Sequence, residues 1–312
     1  MNRVPLILDC DPGVDDAVAL LFALGSVEEI DLLGITTVAG NVGVDHTSRN
    51  ARIVRQLAGR PEVPIFAGCD RPLVRSPVAA SHFHGESGLG TLDIFEPSAP
   101  LADTHAVTFI AETVLAAPPS TITLAITGPM TNVAMAMRLA PAIVPRLRQI
   151  VVMGGARSEG GNITPSAEYN IYADPHAAQI VFGSGCPVAV LGLDVTHQVR
   201  ATATRVAAIR ATGRAAALAA ADLLAFSNRL DPNLASGGAP LHDPCTIAYL
   251  LRPQWFMSRP CAIGVETAAA LTMGHTAVEF RATPGQVRHI NWVVEADADA
   301  VFSLLTERLA RL

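Results

Sequence analysis

The chain has 312 residues, half of them hydrophobic and 16% charged, with a formal net charge of −6. Such a composition supports a sizeable buried core and, with no run of basic residues, argues against a nucleic-acid or anionic-membrane surface. Lysine is absent and all 22 basic residues are arginine, which excludes a Schiff-base lysine and a phosphate-loop lysine.

The first apolar run, residues 4–8, reads as a strand. It leads into Asp9-Cys10-Asp11-Pro12-Gly13-Val14-Asp15-Asp16, and a second apolar run, residues 17–24, reads as a helix. Pro12-Gly13 supplies the turn, Asp15 or Asp16 suits the helix N-terminus, and Gly25 suits its end. Residues 30–38, 63–67, 121–126, 150–153 and 188–193 read as further strands. They are continuous rather than alternating, as in strands covered on both faces. Helical patterns lie between them over 47–57, 105–115 and 175–182. Residues 201–225 read as one or two helices, and 297–312 as a capped C-terminal helix. This order predicts a single α/β domain spanning residues 1–312, with a central, mostly parallel β-sheet flanked by helices.

Five cysteines (Cys10, Cys69, Cys186, Cys245, Cys261) are scattered without CxxC spacing, which fits a reducing compartment and no disulfide framework. The N-terminus does not resemble a signal peptide, and no apolar run approaches the roughly 18 residues of a membrane span. A soluble, cytoplasmic protein is the expectation.

Three connections, 70–102, 154–173 and 228–242, are too long for simple turns and are candidates for function. In open α/β sheets ligands bind beyond the carboxyl ends of the strands. Asp9, Asp11, Asn41, Thr127 and Met153 all stand at predicted strand ends. Four carboxylates between Asp9 and Asp16 repel one another, and capping accounts for one or two of them. A hard divalent cation or a bound proton resolves the conflict. The carbonyl of Thr127, opening Thr127-Gly128-Pro129, could ligate such a cation. His82 and His84 have a zinc-compatible spacing, a weak signal beside the alternative of a glycine-rich lid over 82–90. Asn162, Glu168 and Asn170, on the loop after Met153-Gly154-Gly155, suit hydroxyl groups such as those of a sugar. His242-Asp243-Pro244 opens an apolar helix, with His242 as a candidate proton donor beside a candidate metal ligand.

These segments together resemble the inosine-uridine-preferring nucleoside hydrolases over essentially the whole length. The resemblance rests on Asp9-Cys10-Asp11-Pro12-Gly13-Val14-Asp15-Asp16, Asn41, His84-Gly85-Glu86-Ser87-Gly88, Val152-Met153-Gly154-Gly155, Ala167-Glu168-Tyr169-Asn170 and His242-Asp243-Pro244, in the family order. It implies the nucleoside hydrolase fold and a tightly bound Ca²⁺ held by Asp11, Asp16, Asp243 and the Thr127 carbonyl. By the same resemblance Asp11 is the general base on the attacking water and His242 protonates the leaving base. Asp15, Asn41 and Asn170 match positions that grip the lower ribose hydroxyls, and Asn162 and Glu168 those facing the 5′-hydroxyl. Met153 lies against the sugar, the loop with His84 closes over the base, and Tyr169 joins the substrate contacts. A homotetramer or homodimer is implied, acting on purine or pyrimidine ribonucleosides. The segment 226–238 departs from the family: relatives seat the base there with an aromatic side chain and an arginine, and Arg229 is the nearest counterpart.

Two other functions share parts of this pattern. A Mg²⁺-dependent phosphohydrolase also uses Asp-x-Asp after a first strand, although the missing lysine weighs against phosphate chemistry. A ribose- or nucleoside-binding protein without turnover would keep the pocket, although Asp11 and His242 weigh against it.

Overall fold

The computed structural model describes residues 3–230, 237–281 and 288–312, with Ser81 and His82 as backbone only. One nine-stranded sheet gathers strands from both ends of the chain. At its centre, β1 (Val4–Cys10) pairs in parallel with β2 (Ile30–Thr37) on one side and β4 (Thr123–Ile126) on the other. Outside β2 lies β3 (Ile65–Ala67). Beyond β4 come β5 (Gln149–Met153), β6 (Val188–Leu191) and β11 (Ile290–Ala296), all parallel. Then β9 (Phe256–Val265) runs antiparallel, and β10 (Thr276–Glu279) closes the edge. A separate pair joins β7 (Arg200–Ala201) to β8 (Ala239–Pro240).

Strand β1 explains why helices cover both faces. Leu6, Leu8 and Cys10 enter one core with α1 (Val14–Leu24), α2 (Val44–Leu57), α10 (Ala215–Leu230), α11 (Pro244–Leu251) and α12 (Ala298–Leu309). Ile7 enters the opposite core with α4 (Ala106–Ala116), α5 (Thr131–Leu139) and α7 (Pro175–Phe182). Successive side chains of a strand point to opposite faces, so an uninterrupted apolar run feeds both. The remaining helices are short or peripheral: α3 (Ser81–His84), α6 (Tyr169–Ala173), α8 (Leu193–Thr196) and α9 (Ala203–Ala211).

The strand order reverses at β1, since β2 and β3 lie on one side and every later strand of this sheet on the other. A crevice opens at such a switch point beyond the carboxyl ends. Asp11 follows β1 there, and Thr127 follows β4.

The expected strands exist, with edges that differ by a few residues. The run 188–193 divides: β6 stops at Leu191, and Leu193 begins α8. The stretch 201–225 is two helices, and the second continues to Leu230. The α1 N-cap is Gly13, and Asp15 and Asp16 lie in the first turn, where Asp16 accepts the Gly13 N–H. Continuous apolar runs do not identify β9, β10 or β11. In β9, Met257 is exposed and Arg259-Pro260 interrupts the pattern, and β10 is a short edge strand. Among the described residues no helix is long and apolar enough to cross a membrane.

Candidate active site

Asp11 is clamped between the two strands that flank β1. The backbone N–H of Asn41 donates to its Oδ2 at 2.7 Å, and the Asn41 side-chain amide donates to its backbone carbonyl at 3.1 Å. A Cβ on Gly128 would stand 2.6 Å from Oδ1 of Asp11, and one on Gly40 would overlap Oδ2. Glycine after β2 and after β4 is therefore what lets a carboxylate sit fully buried between them. Asp11 Oδ1 has no hydrogen-bond partner among the described residues.

Asp16 is buried behind the first turn of α1. Its Oδ2 accepts from Gly13 N–H (3.1 Å) and Asn41 Nδ2 (3.2 Å), and its Oδ1 accepts from Thr127 Oγ1 (2.8 Å). Carboxylate oxygens of Asp15, Asp16 and Asp243 lie within 4.8 Å of one another. Of the expected ligands, the structure thus groups Asp16 and Asp243 with Asp15, and Asp11 sits outside that closest trio. The Thr127 carbonyl accepts the Asn170 side-chain amide at 2.8 Å. It retains a second lone pair.

Burial governs the electrostatics here. Asp11 and Asp243 are held well above the usual carboxylate range, first by burial and then by the neighbouring carboxylates. Asp16 is pushed up to about 7 by burial and by Asp15. Such a cluster holds protons or a cation, because several buried like charges cannot remain uncompensated. Its donors are all oxygen, which suits a hard divalent ion. The orphaned Asp11 Oδ1 and Asp15 Oδ1 fit the same group.

Asp9 lies one layer deeper, on the opposite face of β1 from Cys10. It accepts from Thr36 Oγ1 (2.6 Å) and Asn132 Nδ2 (2.8 Å), and burial pushes it up to about 7. Its role is to tie β1 to β2 and α5 beneath the cluster.

A cavity of about 490 Å³ opens above these carboxylates. Asp15, Asn41, His84, Thr127, Met153, Asn162, Glu168, Tyr169, Asn170, His242 and Asp243 line it, whereas Asp11 and Asp16 lie behind its wall. Glu168 caps α6, accepting from Gly155, Asn170 and Ile171 N–H groups, and burial pushes it up to about 7. Asn162 Oδ1 accepts the Tyr169 N–H at 2.8 Å, leaving its amide nitrogen for other partners. The Tyr169 hydroxyl donates to the Val78 carbonyl at 2.7 Å, so Tyr169 offers the cavity its ring. Met153, at the end of β5, packs with Ala156 and Leu193.

His84 accepts the Val14 N–H on Nδ1 at 3.1 Å, which fixes the 82–90 segment to the start of α1. Asn50 Nδ2 bridges the Pro12 and Ser87 carbonyls from below. The side chain of His82, the other half of the His-x-His pair, lies outside the described residues. His242 bonds Thr196 Oγ1 through Nδ1 at 2.9 Å. Burial pulls its imidazole down to about 4, with Asp15 acting in the opposite direction. Arg229 is exposed, lies over Phe226 at 5.9 Å and does not line the cavity. Residues 231–236 of the same segment lie outside the described residues.

Sequence reasoning missed Thr196, the last residue of α8 and the partner of His242, and His197 just after it at the cavity wall. No local pattern marks either residue. Ser227 and Leu230, at the end of α10, line the cavity from the 226–238 segment singled out in the sequence.

A mostly parallel sheet covered on both faces places a switch-point cavity over an acidic floor, an arrangement suited to a small hydroxylated ligand. Comparison with known proteins narrows this class. The sequence pattern described as "Inosine-uridine preferring nucleoside hydrolase" matches residues 6–303. The pyrimidine-specific ribonucleoside hydrolase RihA of Citrobacter koseri is 42% identical over 309 residues, covering 98% of each chain. The inosine-uridine preferring nucleoside hydrolase of Crithidia fasciculata is 41% identical over 309 residues, again covering 98% of each. The solved structure of a purine-preferring ribonucleoside hydrolase from Gardnerella vaginalis superposes with a TM-score of 0.91 at 34% identity, covering 98% of both chains. The chain belongs to the inosine-uridine preferring nucleoside hydrolase family and is an enzyme of ribonucleoside N-glycosidic hydrolysis.

Proposed function

We propose that this nucleoside hydrolase binds one Ca²⁺ at the floor of the cavity and releases ribose and free base from purine and pyrimidine ribonucleosides. The observation that carries the reading is the all-oxygen cluster of buried Asp16 and Asp243 with partly buried Asp15, within 4.8 Å of one another, at the floor of a cavity of about 490 Å³. Asp11, Asp16, Asp243 and the Thr127 carbonyl would hold the ion, with sugar hydroxyls and water filling a shell of roughly six to eight oxygens. When bound, the ion supplies a fixed positive charge that orients the ribose hydroxyls and acidifies a water.

The chain's own groups divide the remaining work. Asp11 accepts the proton of the attacking water. Asp15, Asn41 and Asn170 hydrogen-bond the lower hydroxyls of ribose, and Asn162 and Glu168 take the 5′-hydroxyl. Met153 packs against the sugar, and His84 and Tyr169 wall the space towards the base. Cleavage builds positive charge on the ribose, and the surrounding carboxylates and amide oxygens favour it. Negative charge builds on the departing base, and His242 delivers a proton to it. Burial lowers the affinity of His242 for that proton in the free pocket. The proton is taken up from solvent and passes from the imidazole to the base as the bond breaks.

The named relatives act on different bases, which supports a pocket that accepts both base classes. A homodimeric or homotetrameric assembly follows from the family resemblance. The five free thiols support a cytoplasmic setting. The test is ribose release from inosine, uridine, cytidine and adenosine, with and without chelator. Release that stops with chelator and returns with Ca²⁺ supports the reading. Release of phosphate from a sugar phosphate, or tight nucleoside binding without free base, would replace it.

A further inference from the structure

A second imidazole stands at the cavity wall beside His242. His197 follows α8, and its ring centroid lies 5.8 Å from that of His242. Its Nδ1 is 3.0 Å from Oε2 of Glu159, on the loop after β5. A carboxylate only accepts hydrogen bonds, so Nδ1 carries the hydrogen. The Nε2 of the neutral ring is then an acceptor.

This pairing is built into the fold. Asp194, in the first turn of α8, accepts the backbone N–H of Arg157 at 2.8 Å and of Ser158 at 2.7 Å. The helix that carries His197 therefore pins the loop that carries Glu159. Glu159 is 45% exposed, so the pair adds little to stability. Its effect is to fix the ring's orientation and tautomer.

We propose that His197, positioned by Glu159, is a specificity-determining residue that contacts the nucleobase and accepts an N–H from its edge. The inference rests on the nucleoside-hydrolase reading of the cavity. Hypoxanthine and uracil both carry ring N–H donors, whereas a nitrophenyl leaving group carries none. An acceptor at this wall distinguishes the two kinds of leaving group without touching the sugar.

The experiment compares kcat and KM for inosine, uridine and p-nitrophenyl riboside in the wild type, His197→Phe, His197→Gln, Glu159→Ala and Glu159→Gln. His197→Phe keeps a ring and removes the acceptor. Its ratio of kcat/KM on inosine to that on nitrophenyl riboside falls by about tenfold, the worth of one hydrogen bond, chiefly through KM. His197→Gln, whose carbonyl can accept, recovers part of that ratio. Glu159→Ala lowers the ratio less, and Glu159→Gln recovers part of the loss. Inhibition of nitrophenyl riboside turnover by free hypoxanthine weakens in parallel in His197→Phe. Equal losses on all three substrates, or an unchanged ratio and unchanged hypoxanthine inhibition, overturn the inference while wild-type turnover leaves the underlying reading intact. A wild type that frees ribose from no nucleoside would instead remove the reading itself.

Discussion

Asn41 holds Asp11 at two points, its backbone N–H on the carboxylate and its side-chain amide on the backbone carbonyl, and the same amide reaches Asp16. One turn residue after β2 thus fixes two carboxylates from the segment after β1. Asn41→Ala keeps the backbone contact and leaves two buried acceptors short of a donor. It should cost about 2 kcal/mol in urea unfolding. Asn41→Asp adds negative charge beside Asp16 and should cost more at pH 8 than Asn41→Ala. An Asp variant as stable as the wild type would contradict this geometry.

Gly40 and Gly128 bracket the Asp11 carboxylate, one on each side. A methyl at Gly40 must displace Oδ2 or shift the strand end, an overpacking cost of about 1–3 kcal/mol. Gly40→Ala should therefore lose stability and at least about tenfold in ribose release, since a misplaced base residue is poorly aligned. Wild-type turnover by this variant would show that Asp11 need not sit where the flanking glycines hold it.

Asp9, Asp16 and Glu168 are each pushed up to about 7 by burial. An unfolded chain titrates them near pH 4 (about 3.9–4.3). Between those values the folded state holds protons that the unfolded state has released. Stability from this source is complete below the unfolded values and is lost as pH rises through about 7, at about 1.4 kcal/mol per pH unit for each group. His242, held down to about 4, acts in the opposite sense, but Asp11 and Asp243 are also held up and act with the first three groups. Metal-stripped protein should melt at a lower temperature at pH 8 than at pH 5.5. Added Ca²⁺ should shrink that difference by binding the ionised cluster. Calorimetric scans at both pH values check it, and a stripped protein that gains thermal stability towards pH 8 would have the sign reversed.

Thr196 Oγ1 and His242 Nδ1 lie 2.9 Å apart, and the proposed function gives His242 the leaving base. His242→Ala should slow inosine by about 10²–10⁴-fold, the usual worth of general acid help. Nitrophenyl riboside, whose leaving group needs no proton, should be slowed far less. Thr196→Val removes the hydroxyl from Nδ1 at nearly constant shape and should reproduce a fraction of the inosine defect. Steady-state rates on the two substrates decide, and equal slowing of both would take His242 out of the acid role.

The fold was legible wherever burial is two-sided. Strand β1 through β6 read as apolar runs because both faces feed a core, as Leu6 and Ile7 do. The last three strands were not, because β9 buries only Phe256, Cys261 and Val265 and carries Arg259-Pro260, and β10 is a short edge strand. The acidic floor was legible because Asp9, Asp11, Asp15 and Asp16 crowd one strand end, where chemistry is the economical explanation. The closest trio was not, since which of Asp11 and Asp15 approaches Asp243 depends on the turn of α1. Thr196, His197 and Glu159 are single polar residues among ordinary ones, and only their convergence across β5 and β6 marks them.

On the proposed function Asp16 and Asp243, from opposite ends of the chain, share one cation that presents ribose to water. A crystal of the protein grown with Ca²⁺ and ribose, with the ion placed by its anomalous signal, tests it most directly. One ion per chain is expected, bonded to carboxylate oxygens of both Asp16 and Asp243 and to ribose hydroxyls. A chain whose ion binds elsewhere, or whose ribose sits in the cavity with no ion between those two aspartates, would contradict it.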